Sequence, residues 1–411
     1  MAVSTRAALR TMPHPMWALV VGAFINRFGA FVYIFLTLYL TQRGYTAPQA
    51  GLAIGAYSAG GLGAALLGGR LTDRYGRRSV IVVSMSGSAA SMLALSQARG
   101  LLEIILLAGA TGLVGELYQP AAGALIADLI PEGQRVTGFA LFRLATNAGF
   151  AAGPVVGSFL AGHSFFLLFL GDALTSLAFA GIALLALPNR AAVAHEAHRE
   201  PAQTPEDAGR AGWMPFERRF LLFLTATVLI SFIYVQVDST LGLQTRAVGL
   251  PTTAYGFLLS LNGLTVIAVE LPLTSVTRRA APYVAMTTGT LLIALGMGLT
   301  AIASSMPWFT LCALIWTCGE MVHVPVAAGY VADLAPPLAR GRYAGGRQFA
   351  WSLGMILGAL IGTTLFAWNA QRLWLLCGLL GAIAAATIFL TQRPPAQPAR
   401  APMPPAAPAA Q

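Results

Sequence analysis

Pro120, Ala127-Asp128-Leu129, Pro131, Arg135, Gly149, Gly153 and Gly157 return in this chain as Pro325, Ala332-Asp333-Leu334, Pro336, Arg340, Gly354, Gly358 and Gly362. Every pair is 205 positions apart in a chain of 411 residues. A match held in register over so long a stretch reads as two copies of one module. The chain is 56% hydrophobic and only 10% charged, so the module belongs in a membrane. Transporters are often built from two such repeats, with the substrate between them.

Working outward from the repeat, twelve apolar segments have the length that a bilayer core demands. They fall near 17–41, 49–71, 79–98, 101–128, 136–161, 164–187, 219–242, 252–273, 283–303, 308–333, 342–367 and 371–391. The period-two alternation of a membrane barrel is missing, so the fold expected is an all-α membrane protein of twelve transmembrane helices in two pseudo-symmetric six-helix bundles. The first bundle takes 1–187 and the second 219–393. The stretch 188–218 holds Pro, His and most soluble acidic residues and reads as a cytoplasmic linker. The stretch 394–411 is nearly all Pro, Ala and Gln and reads as a disordered tail.

The net charge of +10 comes with 25 arginines and no lysine. With the N-terminus inside, eighteen arginines fall on the cytoplasmic side, four outside (Arg43, Arg99, Arg246, Arg372) and three within helices (Arg27, Arg143, Arg347). That is the positive-inside pattern of a multi-pass inner-membrane protein with both termini cytoplasmic. The charge therefore answers to lipid rather than nucleic acid. Cys312, Cys318 and Cys377 lie in apolar segments without metal-ligand spacing, and neither a metal nor a cofactor is expected.

The second segment ends in Gly69-Arg70-Leu71-Thr72-Asp73-Arg74-Tyr75-Gly76-Arg77-Arg78. This stretch resembles the G-x-x-x-D-R-x-G-R-R signature that the major facilitator superfamily carries between helices 2 and 3. The resemblance, which covers 17–391, implies a secondary transporter working by alternating access. It implies a conformational latch formed by Gly69, Asp73, Arg74, Gly76 and Arg77 with Asp128. In that family Asp73 would contact the start of helix 11 in the outward-facing state and lose it on switching. The corresponding second-half loop, Thr274-Ser275-Val276-Thr277-Arg278-Arg279, has no acid, so the latch is expected to be one-sided.

Gly149-Phe150-Ala151-Ala152-Gly153-Pro154-Val155-Val156-Gly157-Ser158 resembles the g-x-x-x-G-P-x-x-G-G motif of the family's drug–proton antiporters, with Ser158 for the last Gly. Gly149, Gly153 and Gly157 flatten one helix face for close packing, and Pro154 allows a kink. The antiporters' helix-4 Arg is missing, with Leu107 and Ala108 where it is expected. Arg27-Phe28-Gly29 with Leu38-Tyr39-Leu40 bears a fainter resemblance to the peptide symporters, without their two preceding glutamates.

Charges inside a bilayer cost about 2.5–3.5 kcal/mol each on insertion scales unless paired or hydrated, so they point to function. Glu116 and Glu320 stand four and five residues before the repeat-matched Pro120 and Pro325. A carboxyl that trades an arginine partner for an apolar pocket takes up a proton. Glu116 and Glu320 are therefore candidate proton carriers, with Arg27, Arg143 and Arg347 as partners; a purely structural Glu–Arg pairing is the alternative. Asn26, Tyr33, Tyr234, Asp238, Trp316 and His323 are candidate cavity residues, with Phe24 and Tyr57 beside them. Asp172 sits on a helix that is peripheral in this fold, and Glu270 is expected to pair with Arg278 or Arg279.

No phosphate-binding G-x-x-x-x-G-K-[ST] loop occurs, so an ion gradient is the expected energy source. No H-E-x-x-H or G-x-S-x-G marks a membrane enzyme, and the linker is too short for a receptor's output domain. The expected function is proton-coupled efflux of a small amphipathic molecule by a monomer. Coupled uptake, or export of a metabolite, peptide or lipid, is the alternative.

Overall fold

The computed structural model describes residues 12–131, 134–189, 216–277, 280–336 and 339–391. Most of the expected linker and all of the expected tail lie outside these residues, as do Arg278 and Arg279. Among the described residues twelve helices are long and apolar enough to cross a bilayer, and there are no strands. Helices are what lipid requires, because each satisfies its own backbone hydrogen bonds.

The helices are α1 His14–Gln42, α2 Ala47–Tyr75, α3 Arg77–Gln97, α4 Leu101–Leu129, α5 Arg135–His163, α6 Phe165–Ala186, α7 Arg218–Ser239, α8 Thr252–Thr277, α9 Pro282–Leu299, α10 Met306–Leu334, α11 Arg340–Trp368 and α12 Ala370–Phe389. The first residues of α2 to α6 and of α8 to α12 differ by 205 in every case. The interval read from the prolines and glycines thus governs nearly the whole molecule. Local signals set several ends. Thr46 and Gln49 form a capping box at the start of α2, and Gly76, at φ 88°, turns the chain from α2 into α3.

Two helices break. α1 stops at Phe28 and resumes at Phe31, and the restart is held by Asp172 of α6, whose Oδ2 accepts from the Val32 amide at 3.3 Å. α4 bends at Leu117, one turn before Pro120, whose ring displaces the carbonyl of Glu116 and whose missing N–H leaves it unpaired within the helix. Ser84 of α3 supports the bend, donating to Val114 O at 2.6 Å and accepting from the Tyr118 amide at 3.1 Å.

The small residues of α5 serve two neighbours. A methyl added at Gly149 or Gly153 would lie 2.6 Å from Phe24 O or 2.5 Å from Phe28 O, so this face lies against the backbone of α1. Gly354 and Gly358 of α11 meet α7 in the same way. The neighbouring face of α5 meets the other half. A methyl at Gly256 of α8 would lie 2.5 Å from Pro154 O, and one at Gly263 would lie 2.6 Å from Ala151 Cα. On the opposite flank Gly51 of α2 leaves the same narrow gap, 2.6 Å, to Ala359 O of α11.

These contacts between halves all lie away from the 69–78 loop. At that far end one continuous apolar core, from Phe31, Phe35 and Ile54 to Ile233, Tyr255 and Trp374, joins both halves. The Tyr255 hydroxyl reaches Val237 O at 2.9 Å and Ile34 O at 3.2 Å within it. At the loop end the core divides. One cluster, around Met16, Ile81 and Ile126, belongs to the first half; the other, around Phe220, Met286 and Ile388, belongs to the second. The halves are sealed at one end and parted at the other.

Candidate functional site

Between the parted halves lies a cavity in three lobes that share Phe150, Val324, Gln348 and Trp351. The first, about 390 Å³, is lined by Arg27, Tyr33, Tyr57, Glu116 and Asp238. The second, about 290 Å³, is lined by Arg143, Asn147, Asn262, Glu270 and Glu320. The third, about 250 Å³, is lined by Thr227, His323 and Arg347. Four carboxylates and three arginines therefore face one space between two rigid bodies.

Their pairing is uneven. Arg27 lies 3.7 Å from Glu116, which also accepts from Tyr57 at 3.4 Å and from the Gln119 amide. Arg143 does not reach Glu320. It binds Glu270 of α8 at 2.5 Å, across the boundary between halves. The expected partners of Glu270, Arg278 and Arg279, lie outside the described residues; among the described residues its ion-pair partner is in the other half. Glu320 instead accepts from Asn262 at 3.0 Å, an amide that also donates to Thr317 at 3.0 Å. Among the described residues no arginine lies within 4 Å of Glu320 or Asp238, and no carboxylate within 4 Å of Arg347. Asp238 lines the same lobe as Tyr33.

The residues expected in the cavity separate into two groups. Tyr33, Asp238 and His323 line it, and His323 also has Thr290 Oγ at 3.1 Å from its Nδ1. Tyr234 packs its ring on the lining residue Trp351, 5.6 Å between centroids, and its own hydroxyl is buried without a hydrogen bond. Asn26 and Trp316 differ from the expectation. Asn26 donates to Ser176 of α6 at 3.4 Å, and Trp316 is buried against α9, where Gly296 makes room for it. Phe24 stacks on Phe28 away from the lobes. Tyr57, Gln348, Trp351 and Glu270 are the lining residues of greatest chemical interest beyond that set.

The expected latch residues form a chain of charge at the parted end. Arg77 binds Asp128 at 2.8 Å and stands 3.8 Å from Asp73, whose side chain is 78% exposed. Among the described residues the ion-pair partner of Asp73 is Arg77, on α3. Arg74 lies over the ring of Tyr75, and no atom approaches the position where Gly69 would carry a Cβ. Gly157 faces Phe31 and Phe35 of α1. Among the described residues no cluster of His, Cys, Asp or Glu has metal-binding geometry.

The model of the Major Facilitator Superfamily matches residues 19–326 and 243–410. The multidrug resistance protein MdtH of Aeromonas hydrophila is 29% identical over 380 residues, covering 91% of this chain and 94% of that one. A Na(+), Li(+), K(+)/H(+) antiporter of Planococcus maritimus is 26% identical over 380 residues, covering 84% and 87%. A solved POT family transporter in complex with a thioalcohol-conjugated peptide has a TM-score of 0.76 at 14% identity, over 93% of this chain and 98% of that one. The last likeness is one of fold.

Proposed function

This chain belongs to the major facilitator superfamily of transporters, and from that membership we propose that it exports small amphipathic molecules in exchange for protons. One observation carries the proposal. Carboxylates with and without arginine partners face a single cavity that is sealed at one end and open at the other. The arginine distribution supports a cytoplasmic open end, and on that reading this is the form that receives cargo.

Glu320 is the carboxylate best placed to exchange a proton for cargo. It faces the cavity with no arginine within 4 Å among the described residues, and an ionised carboxylate in such a place is costly until a proton or a cationic group neutralises it. Glu116 is held by Arg27, Tyr57 and Gln119, and these contacts give it a positioning role. Tyr33, Tyr57, Phe150 and Trp351 offer the aromatic walls that an amphipathic cargo needs. The MdtH likeness favours a drug-like cargo, and the cation–proton antiporter likeness favours exchange against protons.

The test is dye or drug flux in proteoliposomes with an imposed pH gradient. Flux should follow the gradient in the wild type and lose that dependence in Glu320→Gln, with binding of cargo partly kept. Flux indifferent to the gradient in the wild type would sink the assignment.

A further inference from the structure

Moving along the chain by 205 residues finds the same architecture with one ion pair missing. At the parted end of the first half, Arg77 opens α3 and clamps Asp128 of α4 at 2.8 Å; Leu125, one turn earlier, is fully buried. The counterparts in the second half are Pro282, Asp333 and Tyr330. The acid is kept and its cation is gone. Among the described residues no cation lies within 4 Å of Asp333. In the place that the clamp would occupy there is a cavity of about 360 Å³, lined by Arg219, Pro282, Tyr283, Tyr330, Asp333 and Thr391. The Tyr330 hydroxyl is buried without a partner, where the first half has an apolar leucine. Arg219, which stands where the first half has His14, lines this cavity too but does not reach Asp333.

The result is an ion pair held open. Asp333 on α10 and Arg219 on α7 face one space, and the uncapped first turn of α9 adds its positive end beside them. All the lining comes from α7, α9, α10 and the end of α12, so the site is separate from the transport cavity. We propose that it binds a small zwitterion of the phosphoethanolamine type, with the ammonium on Asp333 and the phosphate on Arg219. Such a ligand completes in the second half the clamp that Arg77 builds into the first, tying α9 to α10. The same chemistry comes from a free metabolite or from a lipid headgroup at the membrane surface.

The experiment uses the full chain. Purified protein in detergent is titrated with O-phosphoethanolamine, and thermal unfolding is followed in parallel in nanodiscs of phosphatidylethanolamine or of phosphatidylcholine. A saturable rise in unfolding temperature is expected with O-phosphoethanolamine, or with phosphatidylethanolamine over phosphatidylcholine. The first result identifies a free ligand and the second a headgroup; either sustains the site. Asp333→Asn should weaken the response by about tenfold or more, as loss of a charge-assisted hydrogen bond does. Pro282→Arg should abolish it while leaving the ligand-free protein at least as stable, because the arginine closes the clamp itself. Glu320→Gln, in the transport cavity, should retain it. Equal binding by Asp333→Asn and Pro282→Arg, an equal response to inorganic phosphate, or no response to either source overturns the proposal.

Discussion

Arg143 of α5 and Glu270 of α8 meet at 2.5 Å across the boundary between the two halves, and among the described residues theirs is the one ion pair that joins them. The arginine is half exposed to the cavity, so the pair is partly screened. Its importance is positional: it spans the surface along which the halves must move.

Arg143→Glu should lower transport by about tenfold, because it sets two carboxylates against each other where a mobile contact forms. Arg143→Glu combined with Glu270→Arg should recover most of the loss. Initial flux in proteoliposomes measures both. A double variant no better than the single one would show that the contact is not what the arginine supplies.

Asp73→Asn should leave folding intact, with a stability change within about 0.5 kcal/mol, since the side chain is largely exposed. Transport should nevertheless fall strongly, because the superfamily's loop signature implies that this carboxylate finds its partner on α11 in the other conformation. Wild-type flux from correctly inserted Asp73→Asn protein would contradict it.

Gly263→Leu places a large side chain where even a methyl would be 2.6 Å from Ala151 Cα. The sealed end should be pushed apart, shifting the population toward the form open there. Spin labels across the α5–α8 contact would report a longer distance; an unchanged distance would mean that the helices absorb the bulk by other routes.

Asp172→Ala removes the acceptor for the Val32 amide and leaves that donor buried. A loss of about 1–3 kcal/mol is expected for such an orphan. It should appear as a lower unfolding temperature, with Asp172→Asn intermediate. Equal stability in all three forms would show that the α1 restart needs no cap from α6.

Much of this architecture could be read before any coordinates. The interval from Gly153 to Gly358 carries through to helix starts such as Ala47 and Thr252, because lipid leaves helix length and close packing as the main variables. Side-chain direction was harder. Helices that are apolar all round give no contrast between faces, so Asn26 and Trp316 could be assigned to the cavity although they face α6 and α9. The contact between Arg143 and Glu270 is hidden from the sequence for a similar reason, since proximity along the chain says nothing of a partner 127 positions away. Depth was the signal that could have found it. Arg143 lies eight residues from the start of α5 and Glu270 seven from the end of α8, which puts opposite charges at one level of the membrane.

The unequal ends of the molecule also bear on waste. Opening the sealed end means exposing a core that runs through both halves, while at the other end the apolar core is already divided. An empty carrier is therefore expected to idle with its sealed end shut, and on the proposed function crossing over requires something in the cavity that changes the balance of charge. A machine that seldom turns over unloaded lets few ions slip through without work. Thrift of this kind would reside in the apolar seam around Phe35 and Tyr255.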